Sequence, residues 1–177
     1  MPIERDSKNW TWVLERPCEE CGFDATSFAR ADIGRLIREN AAGWQFVLMQ
    51  PDAGRRRNDD MWSPLEYGCH VRDVYRICDF RVDKMLTEDD PTFANWDQDE
   101  TAEDEGYADQ HPVLVAAEVD DAAGQVADVF DDLTEEQWTR IGTRSDGAKF
   151  TVESFARYVV HDVQHHDHDL RVLGIGV

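Results

Sequence analysis

Apolar residues recur at helical spacing in four long stretches, and each stretch opens on a residue suited to cap it. Over about 26–50, Ile33, Ile37, Ala41, Trp44, Val47 and Leu48 fall on one stripe, with Asp24 or Thr26 as cap and Pro51 as the stop. Ser63-Pro64-Leu65-Glu66 is a capping box with proline at the first helical position. It predicts a second helix reaching about Met85, on which Tyr67, His70, Val74, Ile77 and Cys78 share a face. A third helix is predicted from His111-Pro112 to about Leu133 along Val115, Ala116, Val119, Ala123, Val126, Phe130 and Leu133. Thr134-Glu135-Glu136-Gln137 is another capping box and opens a short helical turn through Trp138. Thr151 caps the fourth long helix, which carries Val152, Phe155, Val159, Val163 and Leu170 on one side, reaches about Leu173 and stops at Gly174.

The connections differ in character. Residues 52–60 form a polar loop whose Arg55-Arg56-Arg57 reads as solvated beside the acids that follow. Residues 87–110 are dense in Asp and Glu and lack Lys and Arg, predicting a long acidic loop pinned by Phe93, Trp96 and Tyr107. Residues 140–150 contain Asp146-Gly147, a tight-turn signal in an irregular or hairpin-like connection. No convincing period-two alternation and no long repeat interrupts this pattern. The expectation is an all-α four-helix bundle forming a single domain over 1–177, with 1–23 as an N-terminal extension and 24–173 as the bundle.

Composition narrows the partners. Against 38 Asp and Glu stand 18 Lys and Arg, a formal charge of −20, which repels phosphate backbones and anionic lipid. The 41% apolar fraction suffices for a core. No stretch approaches the length of a bilayer span, and Met1-Pro2-Ile3-Glu4-Arg5-Asp6 lacks the order of a signal peptide, so the expected location is the cytoplasm. Four cysteines, Cys18, Cys21, Cys69 and Cys78, are expected as thiols there. Cys18-x2-Cys21 reads first as an ordinary, partly buried bend in Pro17-Cys18-Glu19-Glu20-Cys21-Gly22, with half of a zinc site or a redox pair as the alternatives. Cys69 and Cys78 do not supply the closely spaced second pair of a four-cysteine ribbon.

Chemistry concentrates in the histidines. Of His70, His111, His161, His165, His166 and His168, four crowd into eight residues. Positions i and i+4 of a helix lie about 6 Å apart along the axis and ~40° around it, so His161 and His165 can reach one ion through bonds of about 2.1 Å. His70 is the candidate third ligand, because an imidazole within an apolar stripe needs a partner and an unpaired buried polar group costs about 1–3 kcal/mol. A core histidine bonded to a carbonyl or carboxylate is the alternative. Three histidines leave positions open for water or substrate, as in catalytic metal sites. The wheel sets His161, His165 and His168 opposite the apolar stripe, either as a solvated face or because the helix is covered on both sides. His168 is close enough in phase to replace one of the pair, while His166 reads as an outer or surface residue. Glu66, Asp162, Asp167 and Asp169 are candidate orienting carboxylates. Glycine-rich nucleotide loops and a nucleophile elbow are absent, and Cys69 points about 100° away from His70.

Trp62-Ser63-Pro64-Leu65-Glu66 with His70 on the second helix, and His161-x3-His165 on the fourth, resemble the DinB/YfiT-like superfamily, which includes the metal-binding domain of mycothiol-dependent maleylpyruvate isomerases. The resemblance covers about 24–173. It implies an up-down-down-up bundle, a divalent ion held by His70, His161 and His165, and frequent dimerisation. It also implies metal-dependent transferases and isomerases that use mycothiol, bacillithiol or glutathione. This chain departs from the pattern in Cys18-x2-Cys21, the acidic loop, His166 and His168. The expected function is a thiol-dependent transferase or isomerase acting on a small electrophile, since a divalent cation favours the reactive thiolate. Zinc or nickel is expected, with a mycothiol-type cosubstrate; imidazoles also suit manganese and iron. Arg144, Arg157 and Tyr158 are candidates to orient the substrate. The alternatives are a metal-assisted hydrolase and a binding or structural protein, metal-stapled or metal-free. A small molecule and a second copy of the chain are the expected partners, with neither nucleic acid nor membrane.

Overall fold

The computed structural model describes residues 9–176, so the opening segment read for a leader lies outside the described residues. The chain begins with a 3-10 turn, Trp10–Leu14, capped by the Asn9 side chain, which accepts from Thr11 N at 3.1 Å. It then bends at Cys18–Phe23, where Gly22 N donates to Cys18 O and Cys18 N to Phe23 O. Gly22 sits at φ 77°, a left-handed conformation that glycine adopts without steric penalty.

Helix α1 spans Ile33–Leu48, several residues later than its predicted start. Asp24 is the reason: its Oδ1 accepts from the Thr26 amide and hydroxyl, and its carbonyl accepts from the Ser27 hydroxyl. Such local side-chain bonds compete with helix formation. Helix α2 spans Pro64–Thr87, and its capping box forms as expected: Ser63 Oγ accepts from Glu66 N, while Ser63 N donates to Glu66 Oε2 at 2.8 Å.

The acidic stretch after α2 is built rather than a bare loop. It contains β1 (Thr92–Phe93), α3 (Gln98–Asp104) and a 3-10 turn at Tyr107–Asp109. Asp97 caps α3 by accepting from the amides of Asp99 and Glu100. Phe93 and Tyr107 are buried and do pin the segment; the Tyr107 hydroxyl donates to Asp73 of α2. Helix α4 (Pro112–Asp131) and the short α5 (Glu135–Trp138) follow, then β2 (Ile141–Arg144), β3 (Lys149–Thr151) and α6 (Val152–Val172). Strand β2 pairs antiparallel with β3 across the Asp146-Gly147 turn and parallel with β1, in register Thr92 with Thr143 and Phe93 with Arg144.

The four long helices form the bundle: α1 packs on α4 and α6, and α2 packs on α4 and α6. A buried polar thread locks three of them together. Tyr75 of α2 donates to Asn40 Oδ1 of α1, and Asn40 Nδ2 donates to Asp167 and to Val163 O of α6. Among the described residues no helix is long and apolar enough to cross a membrane.

Candidate metal centre

Helix α6 is covered on both sides, so its histidines are not a solvated face. Its apolar stripe enters the bundle core, while the 3-10 turn and cysteine bend of the N-terminal segment cover the opposite side. Trp10 lies over His161 and His165, with ring centroids 5.4 and 4.9 Å away, and Phe23 meets His161 at 5.2 Å.

The expected triad is shared out between two groups. His70 comes together with Asp162 and His166, whereas His161 and His165 come together with Cys18 and Cys21. In each group the potential donor atoms all lie within 4.8 Å of one another. The reason is one step of helical register. Asp162 and His166 have the same i, i+4 spacing as His161 and His165, but they are turned by about 100°, toward α2.

In the first group, His70 Nε2 and His166 Nε2 each stand 3.4 Å from the same oxygen, Asp162 Oδ1. Ligand atoms at the corners of a tetrahedron with bonds of about 2.1 Å are ~3.4 Å apart, so this spacing fits a metal centre. The other nitrogen of His166, Nδ1, lies 2.9 Å from Asp169 Oδ2, the kind of carboxylate contact that orients a ligating imidazole. His70 is fully buried and its Nδ1 has no hydrogen-bond partner among the described residues. Trp96, from the acidic segment, stacks on the His70 ring at 5.2 Å and 4°, and the two rings of His70 and His166 meet edge-on at 4.6 Å.

Charge in this group is tightly coupled. Burial drives the His70 pKa down. Burial also opposes charge on His166, but the flanking Asp162 and Asp169 outweigh it and hold His166 up at about 9. Burial would raise Asp162, yet hydrogen bonds from His166 and His70 pull it well below the usual carboxylate range. The two carboxylates thus favour the protonated form of His166, and a cation held here would compete with that proton. In the second group burial lowers His161 to about 4 and raises Cys21 to about 11.

Of the candidates for orienting a substrate, Arg144 and Tyr158 line a cavity of about 600 Å³ together with Asp162, His161, His165, His166, Tyr67, Trp62 and Trp96. Arg81 lines it as well, a residue to which sequence reasoning assigns no role. Arg157 turns away and donates to the carbonyls of Ala25 and Phe28. Glu66 faces Arg56 and its own helix cap, and Asp167 faces Asn40, so neither orients a histidine. Cys69 is buried against Tyr107 and Gln110, and burial raises its pKa to about 12.

No curated protein matches the chain at a significant level. Its fold is similar to that of YfiT from Bacillus subtilis, described as a probable metal-dependent hydrolase with an unusual four-helix bundle topology. The TM-score is 0.73 at 20% identity, over 91% of this chain and 94% of YfiT. The family model of the DinB superfamily matches residues 36–170, a span that runs from the first turn of α1 to the last turn of α6 and includes His70, Asp162 and His166, and the chain belongs to that superfamily.

Proposed function

We propose that this protein is a metal-dependent enzyme acting on a small anionic electrophile, with a low-molecular-weight thiol of the mycothiol type as cosubstrate and transfer or isomerisation as its reaction. The observation that carries this reading is the meeting of two imidazoles from different helices on one oxygen of Asp162, at the wall of a cavity that also holds two arginines. His70, Asp162 and His166 would hold the divalent cation, zinc or nickel. Bound there, the cation supplies Lewis acidity, which stabilises the anionic form of a thiol or of water at neutral pH.

The chain's own residues set up the rest. Asp169 holds the His166 ring so that Nε2 faces Asp162. Trp96 and Trp62 pack against His70 and keep bulk water off it. Arg144 is anchored by a fork onto Asp146 and lies next to Tyr158, whose pKa burial raises so that it remains a hydroxyl donor. Arg81 donates to Ala94 O and has no carboxylate partner among the described residues. A guanidinium held in place by a carbonyl keeps its charge for an incoming carboxylate, the pairing that its geometry favours. Thiol-independent hydrolysis is the second reading, supported by the description of YfiT.

Turnover by the metal-loaded chain tests both. An unsaturated dicarboxylate offered with and without thiol, and a carboxylate-bearing ester offered alone, separate transfer from hydrolysis. We expect thiol consumption with the dicarboxylate, its loss in Asp162→Asn, and a KM raised ~10- to 100-fold in Arg81→Met, the worth of one charge-assisted hydrogen bond. Ester cleavage without thiol would move the assignment to a hydrolase. Inactivity toward both substrates with metal bound would sink both readings.

A further inference from the structure

The second group on α6 has the composition of a closed metal site. Cys18 and Cys21 stand at C-x2-C spacing and His161 and His165 at H-x3-H spacing, the arrangement of two-cysteine, two-histidine zinc centres. The four donor atoms gather within 4.8 Å although 140 residues of chain separate the cysteines from the histidines. We propose that Cys18, Cys21, His161 and His165 bind one structural zinc ion, distinct from the group at His70, and that this ion staples the N-terminal segment to α6.

Three independent features support the assignment. His161 is 3% exposed and its Nε2 has no hydrogen-bond partner among the described residues, leaving a buried polar atom whose isolation is costly unless something binds it. His165 Nδ1 lies 3.8 Å from Cys18 Sγ, while its other nitrogen, Nε2, lies 3.5 Å from the Glu20 carboxylate. That places one ring nitrogen toward the metal position and the other on a carboxylate, the arrangement that orients zinc-bound imidazoles. The bend holds the pair in place: the Cys18 amide donates to Phe23 O and its carbonyl accepts from Gly22 N, a closed turn that Gly22 completes in the left-handed conformation.

Charge balance agrees. Each cysteine enters as thiolate, so loading releases two protons to solvent, and two thiolates with two neutral imidazoles cancel the charge of Zn²⁺. A neutral unit can be buried without the penalty of an isolated charge. Four protein ligands leave no position for substrate, so the role is structural. Its consequence is positional. By fixing one face of α6 at residues 161 and 165, the staple sets the rotation that presents residues 162 and 166 to α2.

Cobalt(II) is the probe. The reduced, metal-free full-length chain titrated with cobalt should develop thiolate-to-metal charge-transfer absorption in the near ultraviolet, and in Asp162→Asn, where the group at His70 is disabled, the band should saturate at one equivalent. The band should persist in His70→Ala and Asp162→Asn and vanish in Cys18→Ser and His161→Ala. Zinc should also protect the N-terminal segment from limited proteolysis, and chelation should remove that protection. A folded, reduced, unaltered chain that shows no such band overturns the proposal, and because it needs no variant this result cannot be blamed on misfolding. So does a band lost equally in His70→Ala, or a Cys18–Cys21 disulfide that persists in reductant.

Discussion

At the scale of single residues, Glu66 shows how position alone can mislead. It stands one helical turn before His70 and reads as a partner for that imidazole. Its carboxylate is instead claimed by Arg56 Nε at 2.9 Å and Ser63 N at 2.8 Å, because the capping box turns it back toward the start of α2. Burial pushes its pKa up, but the bonds from Arg56 and Ser63 prevail and hold it below its ordinary 4.5. A carboxyl whose folded pKa is depressed stabilises the fold above the unfolded value, and that stabilisation is lost as pH falls through the folded value. Glu66→Gln should therefore cost about 1–3 kcal/mol at pH 7, with half-exposed Arg56 limiting the loss. In urea unfolding followed from pH 7 downward, the gap between the two proteins should begin to close below about 4.5. A gap that stays constant down to pH 3 would assign the contact to hydrogen bonding without charge.

Elements differ in how well the sequence reveals them. The capping boxes at Ser63 and Thr134 and the cap at Thr151 are local chemistry and form where the pattern places them; at Thr151 the structure adds the reciprocal bond, Thr151 N donating to Ser154 Oγ. The start of α1 is legible only once Asp24 is seen to use its oxygens in a turn. The acidic stretch hides α3 because a helix of seven residues with no buried side chain leaves no apolar period to read. At the metal centre, spacing shows that α6 carries ligand pairs, but it cannot say whether the pair at 161 and 165 or the pair at 162 and 166 faces α2. The far side of α6 is covered by a 3-10 turn and the Cys18–Phe23 bend, and a C-x2-C on its own does not say which helix face it will meet. Arg81 is invisible for a similar reason: only β1 and β2 bring Ala94 and Arg144 beside it. Those strands approach closely, since a Cβ on Gly142 would come within 2.8 Å of both Met85 and Phe93. Gly142→Val should thus cost about 1–3 kcal/mol by overpacking. Because β2 carries Arg144, the same change should raise KM for an anionic electrophile more than it lowers kcat. Steady-state kinetics beside thermal unfolding check both parts, and an unchanged KM would detach Arg144 from substrate binding.

For the whole molecule, the charge of −20 decides how stability responds to salt. Two opposing effects of salt must be weighed. Arg30, Arg35, Arg38, Arg56 and Arg72 each pair with carboxylates, and salt weakens such bridges. Exposed pairs contribute only about 0–1 kcal/mol each, so their screening removes little. Even if every Lys and Arg neutralised one acid, 38 − 18 = 20 carboxylates would remain to repel one another, and folding brings them within a Debye length, about 10 Å at 0.1 M salt. Repulsion of that kind opposes the compact state and is relieved by counterions. Relief of repulsion therefore outweighs the loss of ion pairs, and monovalent salt should stabilise the protein. In chelator-treated protein at pH 7, raising sodium chloride from low millimolar to about 0.5 M should lift Tm. Each 1 kcal/mol gained appears as roughly 2–4 °C for a chain of this size. Potassium chloride should act equally, since the effect is screening rather than ion recognition, and a Tm that falls with either salt would mean that the ion pairs, not the surplus acids, govern the stability of the fold.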